Sequence, residues 1–209
     1  MKTLAIIGAG DLGLQIAHYA IEDKHYSKVV FFDDLSKTSH IKSFQILGET
    51  ADIIQQFNLA AFDELIIGIG YKHLNARERF FNEFKGIIPF GKIIHSTSWV
   101  DKSAHISEGC VIYPSCSIDI NVHIDQNTII NNSCSVAHDS YIGKHSFLSP
   151  RIAIAGFVKI GEKCILGINS TIIDNINIAE QIQIGGGTVV INDLEKKGLY
   201  VGNPQRFIN

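Results

Sequence analysis

Sixteen aliphatic side chains recur at every sixth residue through the second half of the chain. From Val100 they run Ile106, Ile112, Ile118, Ile124, Ile130, Val136, Ile142, Leu148, Ile154, Ile160, Leu166, Ile172, Ile178, Ile184 and Val190, with no insertion. If roughly a third of residues are aliphatic, chance gives such a run about once in 10^7 trials. A period of six fits neither the 3.6 of a helix nor the 2 of a strand. It fits a short strand followed by a corner, repeated, with one side chain per six pointing at the axis. A six-residue unit has no core of its own, so units must stack. Three units closing one turn place residue n against residue n+18. The sequence therefore predicts a parallel β-helix, with five coils between Val100 and Val190. At about 4.8 Å between stacked strands the prism is roughly 24 Å tall.

A second column lies two residues before the first. It runs Ser98, Ala104, Cys110, Cys116, Val122, Thr128, Cys134, Ser140, Ser146, Ile152, Val158, Cys164, Ser170, Ile176, Ile182 and Thr188. None is charged and most are small, as filling a corner beside a larger neighbour requires. All four cysteines fall in this register. Their spacing comes from the repeat, which makes them inward fillers rather than metal ligands, redox centres or a disulfide framework.

Composition removes several function classes. The formal charge is -3, from 18 basic and 21 acidic residues. No basic tract follows a phosphate backbone, so nucleic acid is not an expected partner. Apolar residues make up 45%, enough for a core and too many for a disordered chain. No apolar run approaches 18 residues, so no membrane-spanning helix is expected, and MKTLAIIGAG lacks signal-peptide character. The expectation is a soluble cytoplasmic protein.

The first third reads differently. Residues 3–7 (TLAII) form a strand, Gly8-Ala9-Gly10-Asp11-Leu12-Gly13 a turn, and the stretch through Ile16, Ala17 and Ala20 a helix. A second strand at 29–32 (VVFF) ends in Asp33-Asp34, a short helix spans 51–57, a third strand at 65–70 ends in a turn at Gly70, and 74–84 form a helix. This βαβ order implies a small parallel sheet, with the boundary near 95: a first domain at 1–95 and a second at 96–209. Gly8, Gly10 and Gly13 match G-x-G-x-x-G, and Asp33 stands about 20 residues on. Free N–H groups at a helix start attract a diphosphate. A redox dinucleotide, a nucleotide-sugar and a purely structural glycine turn all fit the motif. The short domain disfavours a dehydrogenase, whose full fold has six strands.

Candidate chemistry must sit at corners or on faces, because inward side chains cannot react. His138 stands two residues after Val136, near a corner, with Asp139 adjacent to orient the ring or raise its basicity. One coil on is Gly156, whose missing side chain leaves the imidazole uncrowded. An accessible base beside bare backbone suits acyl transfer between two large ligands, with a backbone N–H stabilising the oxyanion. His145 is a weaker alternative, and His18 and His73 lie near the glycine turns. There is no zinc-type His-x-x-x-His, so no metal is expected, and no G-x-S-x-G elbow, so a serine hydrolase is not expected.

Several segments together resemble one family. They are IIGAGDLG at the start, FFDD at 31–34, IIH at 93–95, SVAHDSYIG at 135–143, GINSTI at 167–172, GGGTVV at 185–190 and GLYVGNP at 198–204. The chain resembles the hexapeptide-repeat sugar acetyltransferases, within the group of sialic acid O-acetyltransferases and UDP-amino-sugar (bacillosamine-type) N-acetyltransferases. The resemblance implies a Rossmann-like βαβ domain followed by a left-handed parallel β-helix. It implies a homotrimer with active sites between neighbouring prisms, and acetyl-CoA as co-substrate. It assigns His138 as general base and Asp139 as its partner. It places the cofactor along Gly156, Gly167, Asn169, Gly185, Gly186, Gly187, Pro204 and Arg206. It places a nucleotide-linked amino sugar against Gly8, Gly10, Asp11, Leu12, Gly13, Asp33, Asp34 and Gly70. The implied reaction is N-acetylation of a UDP-, dTDP- or GDP-linked 3- or 4-amino deoxyhexose for surface polysaccharide such as O-antigen. O-acetylation of sialic acid or another hydroxyl is the alternative within the family, and a non-catalytic nucleotide-binding scaffold the alternative outside it.

The chain departs from the family pattern at four places. Leu12 replaces a histidine before the last glycine of the first loop. Asp139 stands where many members have Glu. Phe147 replaces a second histidine. Gln205-Arg206 replaces Ala-Lys in the tail, with Arg206 supplying a positive charge toward the cofactor phosphates.

Overall fold

The computed structural model describes residues 2–208. Contacts divide the chain into two units, 1–93 and 94–209.

The first unit is a five-stranded sheet with helices. Strands β1 (Thr3–Ile7), β2 (Lys28–Phe32), β3 (His40–Ile41), β4 (Phe44–Gly48) and β5 (Glu64–Ile67) lie in the order β3-β4-β2-β1-β5. All neighbours are parallel except β3 and β4. Leu4, Ala5, Ile6 and Ile7 are buried because β1 is central, which explains the unbroken apolar run read as a strand. Helices α1 (Asp11–Glu22), α2 (Ile53–Asn58) and α3 (Leu74–Phe84) complete the unit. The sheet branches at β1, with β2 on one side and β5 on the other. The carboxyl end of β1 is therefore the switch-point crevice where ligands of open α/β sheets bind, and the Gly8 turn stands there. The hairpin of β3 and β4 was not foreseen. It is short, but Phe44 packs edge-on against Phe31 at 5.7 Å, which anchors the extra strand beside β2.

The second unit is a left-handed parallel β-helix built as a three-faced prism. The first face stacks Trp99–Val100, Ser117–Ile118, Ser135–Val136, Ala153–Ile154, Thr171–Ile172 and Val189–Val190. The second face stacks His105–Ile106, His123–Ile124, Tyr141–Ile142, Lys159–Ile160 and Asn177–Ile178. The third begins at Ile93–Ile94 and ends with Gly198–Val201, whose edge is covered by the antiparallel strand Arg206–Ile208. Partners are 18 residues apart, as Ser117↔Ser135 and Tyr141↔Lys159 show. Every member of the aliphatic column is buried except Val100, which packs against the end of the core.

The second column has a job beyond filling. Cys110, Cys116, Cys134 and Cys164 each donate their thiol to a corner carbonyl 15 residues on, at 3.0–3.2 Å. Thr128, Ser140 and Ser146 do the same with hydroxyls. Ser140 Oγ also accepts the Val158 N–H at 3.2 Å. At these seven positions the column therefore satisfies a corner carbonyl of the next coil, whereas its Ala, Val and Ile members only fill space. The four cysteines are buried and free. Burial pushes the Cys164 thiol up to about 11, and the Cys116 thiol together with burial pushes Cys134 up as well. Neither is a reactive nucleophile.

Ser140→Ala should cost about 1–3 kcal/mol, because the Val158 N–H and Ala155 carbonyl lose a buried partner. Urea unfolding of the two proteins measures the difference, and an unchanged midpoint would refute the corner-satisfying role.

Candidate active site

His138 and Asp139 are the two central residues of the corner after Ser135–Val136. In a strand, adjacent side chains point to opposite faces. Asp139 instead has φ +56, and its N–H turns back to the Ile120 carbonyl at 3.0 Å. That reversal brings two neighbours onto one side, with His138 Nδ1 3.0 Å from Asp139 Oδ2. The contact with His138, and then one from Asn121, hold the Asp139 carboxyl below the usual carboxylate range. An ionised carboxylate only accepts, so Nδ1 is the donor and the neutral ring carries a bare Nε2. The folded pKa is depressed, so the pair's contribution is complete above the ordinary Asp value of about 4 and is lost as pH falls through the lower folded value. His138 is 43% exposed, so the ring is reachable.

Gly156 lies against that ring. A Cβ there would stand 2.7 Å from His138 Cε1 and 2.8 Å from Nε2. A side chain there would have to push the ring aside, so glycine is what leaves the imidazole in this place. Phe157 meets the imidazole edge-on at 5.1 Å and is half exposed. Neither Phe157 nor Asn121 carries a motif in the sequence; Asn121 Nδ2 donates to Asp139 Oδ1 at 3.0 Å. Stepping 18 residues back from Asp139 finds Asn121, as stepping forward from His138 finds Gly156. His145, the weaker candidate base, is buried, with Nδ1 2.9 Å from Asn127 Nδ2. That burial corrects its candidacy as an accessible base.

The remaining cofactor candidates stand elsewhere on the prism. Gly167 and Asn169 belong to the corner between the third and first faces, and Gly185, Gly186 and Gly187 stack on them there. A Cβ on Gly167 would lie 2.5 Å from the Gly186 nitrogen, so these corners nest backbone on backbone. Gly187 has φ +69 with open space around it. Pro204 is exposed in the closing turn, and Arg206 is exposed on the last strand opposite Val201. Gly156 and this glycine group thus flank opposite edges of the first face. Among the described residues, that face and its two edges carry the large exposed apolar side chains Trp99, Ile120, Phe157, Ile168, Ile173 and Ile191, and Ile208 at the tail stands on the third face.

In the first unit the candidates converge on the turn after β1. Gly8 takes φ +97 and donates its N–H to the Phe32 carbonyl at 2.8 Å. A Cβ on Gly13 would lie 2.0 Å from the Gly8 carbonyl oxygen, so only glycine lets α1 start this close to the strand. The first intrahelical bond is Leu14 N–H to Gly10 at 3.0 Å, which leaves the N–H groups of Asp11, Leu12 and Gly13 outside the helical ladder. Among the described residues no side chain caps this end, and nothing stands within 4 Å of where a Gly10 Cβ would be. Asp33 accepts from Ala9 N–H at 2.7 Å through one oxygen, and from Leu35 and Ser36 N–H at 2.8 and 3.0 Å through the other. It pins the glycine turn to the loop after β2. Asp34 accepts from the Thr50 N–H and hydroxyl at 2.7 and 3.0 Å. Gly70 opens a single turn of 3-10 helix, Tyr71–His73, with free space at its Cβ position. His18 and His73 are exposed.

Among the described residues, no group of three or more His, Cys, Asp or Glu is arranged to hold a metal ion, and no helix is long and apolar enough to cross a membrane.

Comparison with known proteins places this architecture. Residues 3–84 match the family model of the PglD N-terminal domain. No curated protein matches the chain. The acetyltransferase domain of PglB from Neisseria gonorrhoeae is 23% identical, with a TM-score of 0.90 over 100% of both chains. PerB from Caulobacter crescentus, solved in complex with CoA and GDP-perosamine, is 22% identical, with a TM-score of 0.89 over 100% of this chain and 98% of that one. WeeI from Acinetobacter baumannii is 21% identical, with a TM-score of 0.87 over 100% of both. At these identities the likeness establishes a shared fold along the whole chain, both units included.

Gly156→Ala should displace the His138 ring while leaving the corner intact. A crystal structure of the variant reads this directly, and an unmoved imidazole would refute the packing argument.

Proposed function

We propose that the chain is an acetyl-CoA-dependent N-acetyltransferase acting on the amino group of a nucleotide-linked amino sugar. One observation carries the reading: an exposed imidazole with Nδ1 held by an ionised carboxylate and its place left open by a glycine. That arrangement suits taking a proton from an attacking amine. The fold-level likeness to PerB, whose complex holds CoA and GDP-perosamine, supports the substrate class.

The neutral amine of the sugar attacks the thioester carbonyl, forming the N–C bond. His138 Nε2 takes the proton the amine loses, and Asp139 stabilises the imidazolium. A backbone N–H at this corner supports the oxyanion. The C–S bond then breaks and the CoA thiolate leaves, taking up a proton. No covalent enzyme intermediate is required. Activity falls at low pH as the amine protonates.

The N–H groups of Asp11, Leu12 and Gly13 and the positive end of α1 receive the nucleotide diphosphate, while Asp33, Asp34 and Gly70 frame the place of base and ribose. Asp33 acts chiefly by fixing the turn, since both its oxygens already accept backbone N–H groups. The cofactor runs past Gly156 and Phe157 and past the corner of Gly167, Asn169 and Gly185–Gly187, with Pro204 and Arg206 toward its phosphates. These two rims lie on opposite edges of the first face. The apolar side chains along that face support a homotrimer, with one prism supplying the first rim and its neighbour the second. The reading places the enzyme in the cytoplasm, with its two substrates.

In a thiol-release assay over a panel of UDP-, dTDP- and GDP-linked amino sugars, at least one should be acetylated. His138→Ala should lower kcat at least about 100-fold, with acetyl-CoA affinity nearly unchanged. Retained turnover would reject the base, and a panel without a substrate would reject the substrate class.

Asp33→Ala should raise the KM for the nucleotide sugar about tenfold and spare that for acetyl-CoA. Equal effects on both would reject the assignment of the glycine turn.

A further inference from the structure

We infer that Asn121 is a positioning residue for the reaction, one coil away from the base. The inference rests on the reading of His138 as that base.

Asn121 and Asp139 occupy the same place in successive coils, both at φ +56. The side-chain amide of Asn121 donates from Nδ2 to Asp139 Oδ1 at 3.0 Å, while the other carboxylate oxygen, Oδ2, receives His138 Nδ1 at 3.0 Å. One oxygen is held from the neighbouring coil and the other faces the ring. The carboxylate plane is therefore fixed by two contacts at right places rather than one. Without the amide, Asp139 at this partly exposed corner keeps only its contact with the ring, and other staggered rotamers that take Oδ2 off Nδ1 become populated. The neutral imidazole then samples the tautomer with its proton on Nε2, which cannot accept a proton from the amine.

Asn121 is itself anchored. Its N–H donates to Ser103 Oγ at 2.9 Å, and that hydroxyl donates to Asp101 at 2.6 Å. A line of polar contacts thus climbs one edge of the prism through Asp101, Ser103, Asn121 and Asp139 to His138. Its last two members set the ring. The opposite side of the ring is set by Gly156 and Phe157, which add shape but no polar contact to Nδ1.

Asn is also a residue that tolerates a left-handed corner, so a purely conformational role would give the same amino acid. The two roles separate with Asn121→Gly, because glycine adopts this φ at no steric cost and removes only the amide. The experiment measures the tautomer of His138 by its nitrogen chemical shifts in the folded full-length protein above the ring's titration, together with kcat and both KM values. In the parent protein the ring should be the Nδ1–H form. In Asn121→Gly a mixture should appear, with kcat about tenfold lower and both KM values within twofold. Asn121→Gln, a longer amide, should restore part of the loss. A pure Nδ1–H ring in Asn121→Gly, or kcat within twofold of the parent, overturns the inference. If His138→Ala retains turnover, the base assignment fails and the inference fails with it. If His138→Ala is inactive while Asn121→Gly is unaffected, only the positioning role falls.

Discussion

The prism depends on a reversal of the peptide at each corner. Strand N–H groups bond forward: Trp99 to Cys116 and Asp101 to Ile118, both at 2.9 Å. Corner N–H groups bond backward: Ser133 to Pro114 and Asp139 to Ile120 at 3.0 Å, Phe157 to His138 at 3.1 Å. A peptide can face both neighbours in turn only if the corner residue takes a left-handed φ. Twelve non-glycine residues in succession do so, from Ser115 at φ 62 to Gln181 at φ 58. Each conformation is unfavourable alone, by roughly 1–2 kcal/mol. Each is offset by a hydrogen bond to the adjacent coil and by the aliphatic column it closes. Stacking and the corner therefore stabilise each other, and neither exists in an isolated hexapeptide.

The same reversal makes the candidate site. An extended backbone would put His138 and Asp139 on opposite faces, out of reach of each other. The left-handed corner puts them side by side, and the 18-residue register then delivers Asn121 to one of them and Gly156 to the other. Asp suits this place better than Glu on backbone grounds, because a short polar side chain is among the few that visit the left-handed region readily. The shorter carboxylate thus takes the corner readily and still reaches the ring, with Oδ2 3.0 Å from His138 Nδ1.

The aliphatic period was open to reading because the physical cause and the sequence pattern share one repeat length. Register, strand direction and the burial of all four cysteines followed from it. The corner conformation was not open to reading, because the twelve residues that adopt it include Phe157, Arg151 and Lys163, which carry no turn signature. Context, not propensity, imposes φ there. The thiol-to-carbonyl bonds of the second column were missed for a related reason: Cys, Ser and Val look equally like small fillers until the partner carbonyl 15 residues on is seen. In the first unit the acidic residue expected after the second strand was present at Asp33. Its spacing could not tell a ligand contact from a hydrogen bond to Ala9, because both place a carboxylate beside the glycine turn. The pairing of β4 with β2 went unseen because its weight rests on Phe44 and Ile46 alone, too few to give a periodic signal.

A sequence shows which glycines are spared a side chain but not which edge of a prism they share. The family resemblance puts Gly156 and Gly186 along one cofactor run, yet a three-strand coil sends residues 30 apart to different corners, since 30 is not a multiple of 18. Two rims on opposite edges of one face do not make a straight groove on a single prism. In the proposed homotrimer a second copy turns its own edge toward the first, and that assembly needs an adhesive face between them. The first face fits that proposal: its outward strand positions Ser117, Ser135, Ala153 and Thr171 are small, and Trp99, Ile173 and Ile191 supply exposed apolar area beside them. Assembly and cofactor recognition on this reading are two consequences of one surface, and a charge placed at Ala153 would disturb both together.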